Sequence, residues 1–285
     1  MPPITRQKQF DFDVSGRPRL PRLAGLFVTG TDTGVGKTLI AGAIAKYLRG
    51  RGRAVEVFKP AATGCRRKRE MLVSADAEFL AACADSRRPL AEITPVRYTT
   101  PAAPNVAAER ERRPVDLDAI FQSYARLENA CEAVIVEGVG GLLCPISDDF
   151  WVIHLARMMH LPMIVVAHSG LGAINHTLLT LHAARSAGLE VAGVVINRYQ
   201  IDPVASKAPG GGESPPPAPM SPEGGHAQAD AAVCANPAQI AQRGGVQVLA
   251  IVPDEPANSV EKATIGPDTR FAIGQVDWEK VVFQR

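Results

Sequence analysis

The sequence predicts an α/β fold, a doubly wound and mostly parallel sheet with helices on both faces, and three observations carry that expectation. Short apolar runs rich in valine and isoleucine recur without polar alternation, helical patterns separate them, and a glycine-rich loop joins the first run to the first helix. Strands covered on both faces need no polar side and so read as continuous apolar runs. Their alternation with helices implies a parallel sheet between helix layers. The first run covers 25–29. A helix follows over 36–48, with Leu39, Ile40, Ala43, Ile44 and Tyr47 on one face at i, i+3, i+4 spacing. Gly50 and Gly52 stop it. Residues 54–58, 133–136, 163–167 and 191–196 are the next strand candidates, and 246–252 resumes the rhythm. Helices are expected over 116–128, 152–159, 174–187 and 230–242. Ligands in such sheets bind beyond the carboxyl ends of the strands, where most of the polar motifs fall.

Two segments stand outside this rhythm. Residues 1–23 carry Arg6, Lys8, Arg17, Arg19 and Arg22 without an apolar central region, which excludes a secretory signal, and Asp11 and Asp13 argue against a mitochondrial presequence. A disordered extension is the expectation. Residues 201–225 hold Gly210-Gly211-Gly212 and Pro215-Pro216-Pro217 and few large apolar side chains. They cannot bury enough surface to offset their ordering entropy, and read as a mobile loop inside a single domain spanning 24–285.

Composition narrows the function classes. A hydrophobic fraction of 46% supports a sizeable core, and only 5% aromatics makes it an aliphatic one. A net charge of +2 gives no reason to expect a nucleic-acid partner, and the short basic cluster Arg66-Arg67-Lys68-Arg69 reads as a solvated loop. The cysteines are odd in number and lack C-x-x-C spacing, so a disulfide framework or zinc site is not expected and reduced, cytoplasmic thiols are. No apolar run approaches the ~20 residues of a membrane span. The histidines show no metal-ligand spacing, and Ser169 lacks the context of an acyl-transfer nucleophile.

The strongest motif is Gly30-Thr31-Asp32-Thr33-Gly34-Val35-Gly36-Lys37-Thr38, placed after a strand and opening a helix. This is the context of a P-loop. Its glycines let backbone N–H groups turn toward phosphate oxygens, and the helix N-terminus adds a favourable dipole. Lys37 supplies a cation for the β- and γ-phosphates, and the Thr38 hydroxyl is placed to ligate magnesium. Gly30 lies one residue further from Gly36 than the usual spacing allows, so the loop is a lengthened variant of a P-loop NTPase-like fold.

Around it the chain resembles the dethiobiotin synthetase family. Phe27 to Thr38 resembles that family's phosphate loop; Lys59-Pro60-Ala61-Ala62-Thr63-Gly64, Ser74-Ala75-Asp76-Ala77 and Val136-Glu137-Gly138-Val139-Gly140-Gly141 follow in family order. Pro145-Ile146-Ser147-Asp148, Leu171-Gly172-Ala173-Ile174-Asn175-His176 and Val195-Ile196-Asn197 continue it, and Ile251-Val252-Pro253 matches more loosely. Three features depart from the pattern: Gly34 stands where other members often carry glutamate, Arg198 replaces an acidic residue after Asn197, and the extension and Pro/Gly-rich loop are extra.

The resemblance implies an ATP-dependent cyclo-ligase that joins CO2 to the diamine 7,8-diaminopelargonate and closes a cyclic urea through a carbamic–phosphoric anhydride, with ATP as co-substrate and Mg2+ as cofactor. Lys59 and Lys37 would be catalytic. Thr38, Asp76 and Glu137 would hold the metal. Gly34, Val35, Gly36, Leu39, Gly138, Val139, Gly140, Asn197 and Pro253 would join them around the nucleotide, with Asn197 at the adenine. Thr63 would contact the diamine, and Gly172, Ala173 and Asn175 would reach the substrate carboxylate of a neighbouring subunit in a homodimer. Asp76 could instead cap the helix after it, and Asn175 could cap the helix that Gly172 opens. A corrin amidotransferase-type synthetase and a partitioning ATPase share the nucleotide module. The first typically carries a glutaminase domain with a cysteine nucleophile, and the second a compact loop with a second lysine.

Overall fold

The first apolar run becomes the centre of the molecule because both of its faces are covered. A computed structural model describes residues 12–200 and 225–284. In chain order β1 (Gly25–Gly30), α1 (Lys37–Gly50) and β2 (Val55–Phe58) are followed by the short strands β3 (Ala61–Ala62), β4 (Arg66–Lys68) and β5 (Met71–Val73). Helices α2 (Ala75–Cys83) and α3 (Leu90–Ile93), strand β6 (Val96–Arg97) and helices α4 (Pro104–Arg110) and α5 (Leu117–Ala125) lead to β7 (Ala133–Glu137). A hairpin of β8 (Pro145–Ser147) and β9 (Phe150–Trp151) precedes α6 (Val152–Met159), β10 (Met163–His168), α7 (Ala173–Ser186) and β11 (Val191–Tyr199). After the undescribed stretch come α8 (Gly225–Gly244), β12 (Val248–Pro253), α9 (Pro267–Gly274) and α10 (Trp278–Phe283).

Six strands form one sheet in the order β12-β11-β10-β1-β7-β2, and every neighbouring pair is parallel. The register sets Val28 beside Ile164 on one side and Glu137 on the other. Successive side chains point to opposite faces, so the apolar runs split between two cores. Leu26, Val28, Ile135, Ile164 and Val195 pack against α1, α2, α9 and α10. Phe27, Val134, Val136, Met163, Val165 and Val194 pack against α4, α5, α6, α7 and α8. All are fully buried, each stabilising the fold by roughly 1.5–3 kcal/mol relative to exposure. Trp278 closes one end of the first core, its indole N–H donating to the Ile273 carbonyl at 2.8 Å.

The structure corrects one local expectation and removes two alternatives. Residues 12–23 do not run free: Phe12, Val14, Leu20 and Leu23 pack against the core. Apolar residues too few to form a core of their own need only complete an existing one. Residues 1–11, and residues 201–224 of the expected loop, lie outside the described residues. The cap of α2 is Ser74, whose hydroxyl accepts from the Ala77 N–H at 3.3 Å, which leaves Asp76 to face elsewhere. Gly172 caps α7 with φ 87°, not Asn175. Among the described residues no helix is long and apolar enough to cross a membrane.

Gly42 marks the tightest helix contact. A Cβ there would fall 2.2 Å from Cε1 of the fully buried Phe79. We expect Gly42→Val to cost about 1–3 kcal/mol through overpacking, read as a lower urea midpoint with unchanged slope; an unshifted midpoint would show that α2 can move away.

Candidate active site

Loops leaving the carboxyl ends of β1, β2, β7, β11 and β12 surround a cavity of about 640 Å3. The phosphate loop is fastened at both ends. The Thr31 N–H donates to the Val166 carbonyl at 2.9 Å, and the Val35 side chain is buried in the core. Gly36 takes φ 95°, and a Cβ on it would fall 2.0 Å from the Asn197 amide nitrogen; only glycine meets both demands. The Asn197 Nδ2 in turn donates to the Val35 carbonyl at 2.9 Å, so the end of β11 holds the loop from outside. Lys37, only 6% exposed, donates from Nζ to the Asp32 carbonyl at 2.8 Å. Burial pushes its pKa down, Lys59 adds to that, and Glu137 opposes it.

Lys59 is the structural hub. Its N–H donates to the Ile93 carbonyl at 2.8 Å, which fixes the end of β2. Its ammonium lies 2.7 Å from Glu137 Oε1 and 2.9 Å from Asp76 Oδ2. Burial alone would lower the Lys59 pKa, but attraction to Glu137 and Asp76 outweighs it and the lysine stays cationic. Asp76 is held low because Lys59 outweighs its own burial. Burial pushes Glu137 up, against the pull of Lys59. The Thr38 hydroxyl donates to Glu137 Oε1 at 2.8 Å, while Glu137 Oε2 is buried without a hydrogen-bond partner. Two lysines, two carboxylates and a hydroxyl thus meet where β1, β2 and β7 end and α2 begins, an arrangement suited to gathering and neutralising phosphate oxygens.

Of the residues singled out from sequence, Gly34, Gly36, Lys37, Thr38 and Leu39 line the cavity, as do Lys59, Thr63, Asp76, Glu137, Asn197 and the loop Gly138, Val139 and Gly140. Val35 does not, because its side chain serves the core. Pro253 ends β12 short of the cavity, whose wall is built instead by Asp254 and the residues after it. Gly172, Ala173 and Asn175 lie at the start of α7 and do not line it. Sequence reasoning missed Thr33, Ala62 and the wall over 254–260; it noted Arg198 only as a departure, yet Arg198 lines the cavity. No motif marks that wall; only the apolar run before it could have pointed there. Among the described residues no cluster of three or more His, Cys, Asp or Glu could hold a metal. The cysteines are free.

Parallel topology, a phosphate loop after the central strand and acidic and basic groups at neighbouring strand ends define a P-loop nucleotide-using enzyme. A family model described as an AAA domain matches residues 24–262. The fold resembles a ParA family ATPase from Chlorobium tepidum TLS (TM-score 0.51, 12% identity, 90% of this chain and 98% of that one). It also resembles the MinD cell division protein of Aquifex aeolicus (0.51, 12%, 88% and 94%). These likenesses concern the fold alone. In sequence, the chain is 37% identical over 234 residues to an ATP-dependent dethiobiotin synthetase of Anaeromyxobacter sp. strain K, covering 82% of this chain and 92% of the relative. Synthetases of that description from Bacillus subtilis strain 168 (38%, 64% and 77% covered) and Clostridium kluyveri (35%, 62% and 76%) are similar too. The chain belongs to the ATP-dependent dethiobiotin synthetase family.

The cavity wall after β12 is held by Glu255. Its carboxylate accepts from the Thr269 N–H and hydroxyl, both at 2.9 Å, and from the Asp268 N–H at 3.3 Å. Partial burial would raise its pKa, but these donors hold it below the ordinary 4.5. A lowered folded pKa stabilises above the unfolded value and is lost as pH falls through the folded one. Glu255→Gln should therefore lower Tm at pH 7, with the gap to the parent closing below about pH 4.5; a gap independent of pH would assign the effect to shape rather than charge.

Proposed function

We propose that this chain carries out ATP-dependent dethiobiotin synthesis in biotin biosynthesis, with the roles divided as follows. The observation that supports the division is the Lys59 ammonium clasped by Glu137 and Asp76 inside the cavity that the phosphate loop walls. One amine of 7,8-diaminopelargonate adds to CO2 and loses a proton, giving a carbamate. A carbamate oxygen attacks the γ-phosphorus and ADP departs. The second amine then attacks the carbonyl carbon, phosphate leaves, and the cyclic urea closes. Lys37 neutralises β- and γ-phosphate oxygens, and Lys59, kept cationic by its carboxylates, stabilises charge on the carbamate and the phosphoryl group in transfer. Thr63 lies at the same cavity, within the diamine's side of the division. Asn197 presents Oδ1, buried and without a partner, as an acceptor for the exocyclic amine of adenine, the pairing an asparagine makes well.

The donor set suits Mg2+. Thr38, Asp76 and Glu137 offer hard oxygens, and the unpartnered Oε2 of Glu137 is a carboxylate oxygen that lacks a hydrogen bond within the protein. When bound there, the ion would supply further positive charge to the β- and γ-phosphates. A homodimer accounts for Gly172, Ala173 and Asn175. Asn175 is exposed, and Leu171 beside them is 92% exposed, an arrangement that fits a second subunit whose diamine carboxylate lies against the start of α7. Residues 24–285 act as one synthetase domain, and the free cysteines support a cytoplasmic, reducing setting.

Purified protein given ATP, Mg2+, bicarbonate and 7,8-diaminopelargonate should release ADP only with the diamine and form a product of dethiobiotin mass. No diamine-dependent ADP would sink the reading. Lys59→Ala should cut kcat by about 10²–10³, and EDTA should abolish turnover until Mg2+ is restored. Asn175→Ala should raise KM for the diamine and leave KM for ATP unchanged, measured by coupled ADP release.

A further inference from the structure

The family model begins at residue 24, so residues 12–23, which precede it, call for their own explanation. Their Phe12 and Arg17 are seated on the β8–β9 hairpin and along α6. Arg17 donates to Asp149 Oδ2 at 3.0 Å, and its guanidinium carbon lies 5.1 Å from the centre of the buried Phe150 ring. The Ser147 hydroxyl donates to the other oxygen of Asp149 at 3.2 Å. Phe12 meets the His154 ring at 6.4 Å between centroids, its carbonyl accepts from Arg157, and His154 Nδ1 accepts the Trp151 N–H at 2.9 Å. An exposed ion pair contributes little by itself, but here the same cation stacks on a ring, and apolar anchors lie on either side of it in sequence.

The hairpin leads directly to the nucleotide cavity. The Val152 N–H donates to the Cys144 carbonyl at 3.0 Å, and the Cys144 N–H to the Gly141 carbonyl at 3.0 Å. Val152 Cγ1 lies 3.3 Å from where a Cβ on Gly138 would be, and Cys144 Sγ 2.9 Å from where one on Gly140 would be. The strap, the hairpin and the 138–141 loop are therefore packed in series, and Gly138 and Gly140 line the cavity.

We propose that residues 12–23 are a positioning strap, clasped by Arg17, that sets the 138–141 loop for the nucleotide through the β8–β9 hairpin. This rests on the reading of Gly138 and Gly140 as nucleotide contacts. Arg17 does not line the cavity and acts through Asp149 and Phe150. Loss of the clasp leaves the lysines in place and loosens one wall of the nucleotide site, so it acts on binding more than on chemistry.

The test uses the full chain and the variants Arg17→Ala, Arg17→Lys and the swapped pair Arg17→Asp with Asp149→Arg. Kd for a non-hydrolysable ATP analogue is measured with KM for ATP, kcat and Tm. Arg17→Ala should raise Kd and KM for ATP about 3–10-fold with kcat within about 2-fold, the signature of lost ground-state binding. Arg17→Lys should recover most of the affinity, since it keeps the charge, and the swapped pair should recover part of it. Unchanged Kd and KM in Arg17→Ala, or a lower Tm with unchanged Kd, would overturn the strap. So would equal losses in Arg17→Lys and Arg17→Ala. A parent chain that binds the analogue but makes no dethiobiotin would instead refute the proposed activity, and the Kd comparison would still decide the strap.

Discussion

The site depends on one buried ammonium. Lys59 is 5% exposed at its side chain and Glu137 1%, and neither could be charged there alone, because desolvation costs several kcal/mol per ion. Each is tolerated because the other is present, with Asp76 and the Thr38 hydroxyl completing the set. Buried pairs of this kind are weak contributors to stability compared with apolar replacements. Their presence in the cavity beside the phosphate loop fits the proposed chemistry, which asks for a lysine held cationic by its carboxylates.

That cluster exists only because the sheet is parallel and β1 is central. In the order β12-β11-β10-β1-β7-β2, β7 flanks β1 and β2 lies one strand further out, so Thr38, Glu137 and Lys59 arrive from the same edge. The two helix layers keep that edge rigid from both faces, and Asn197 holds the phosphate loop from β11. This chain thus shares its frame with ATPases of very different sequence.

Much of the frame was legible. The runs that became β7, β10 and β11 are apolar and β-branched without polar alternation, so burial on both faces could be read from pattern alone, and β1, β2 and β12 were legible as shorter or mixed runs in the same rhythm. The phosphate loop was legible because its glycines, Lys37 and Thr38 are adjacent in sequence. Short elements such as α3, α4 and the antiparallel pairs β4–β5 and β8–β9 were not, since a turn or two of helix is specified by the neighbours it packs on. The N-terminal residues misled for the same reason. Phe12, Val14, Leu20 and Leu23 are too few to fold alone, and their order comes from a surface built elsewhere.

What the sequence by itself determined was periodicity and local chemistry: which runs must be buried, where glycine permits a loop to wrap an anion, and which residues near it carry charge. What only the tertiary structure decided was distance. Lys59, Asp76 and Glu137 are far apart in the chain, and the wall beyond Pro253 carries no motif. Strand pairing brings the ends of β2 and β7 together and helix packing seats α2 beside them, and both are properties of the whole fold that no local window of residues contains.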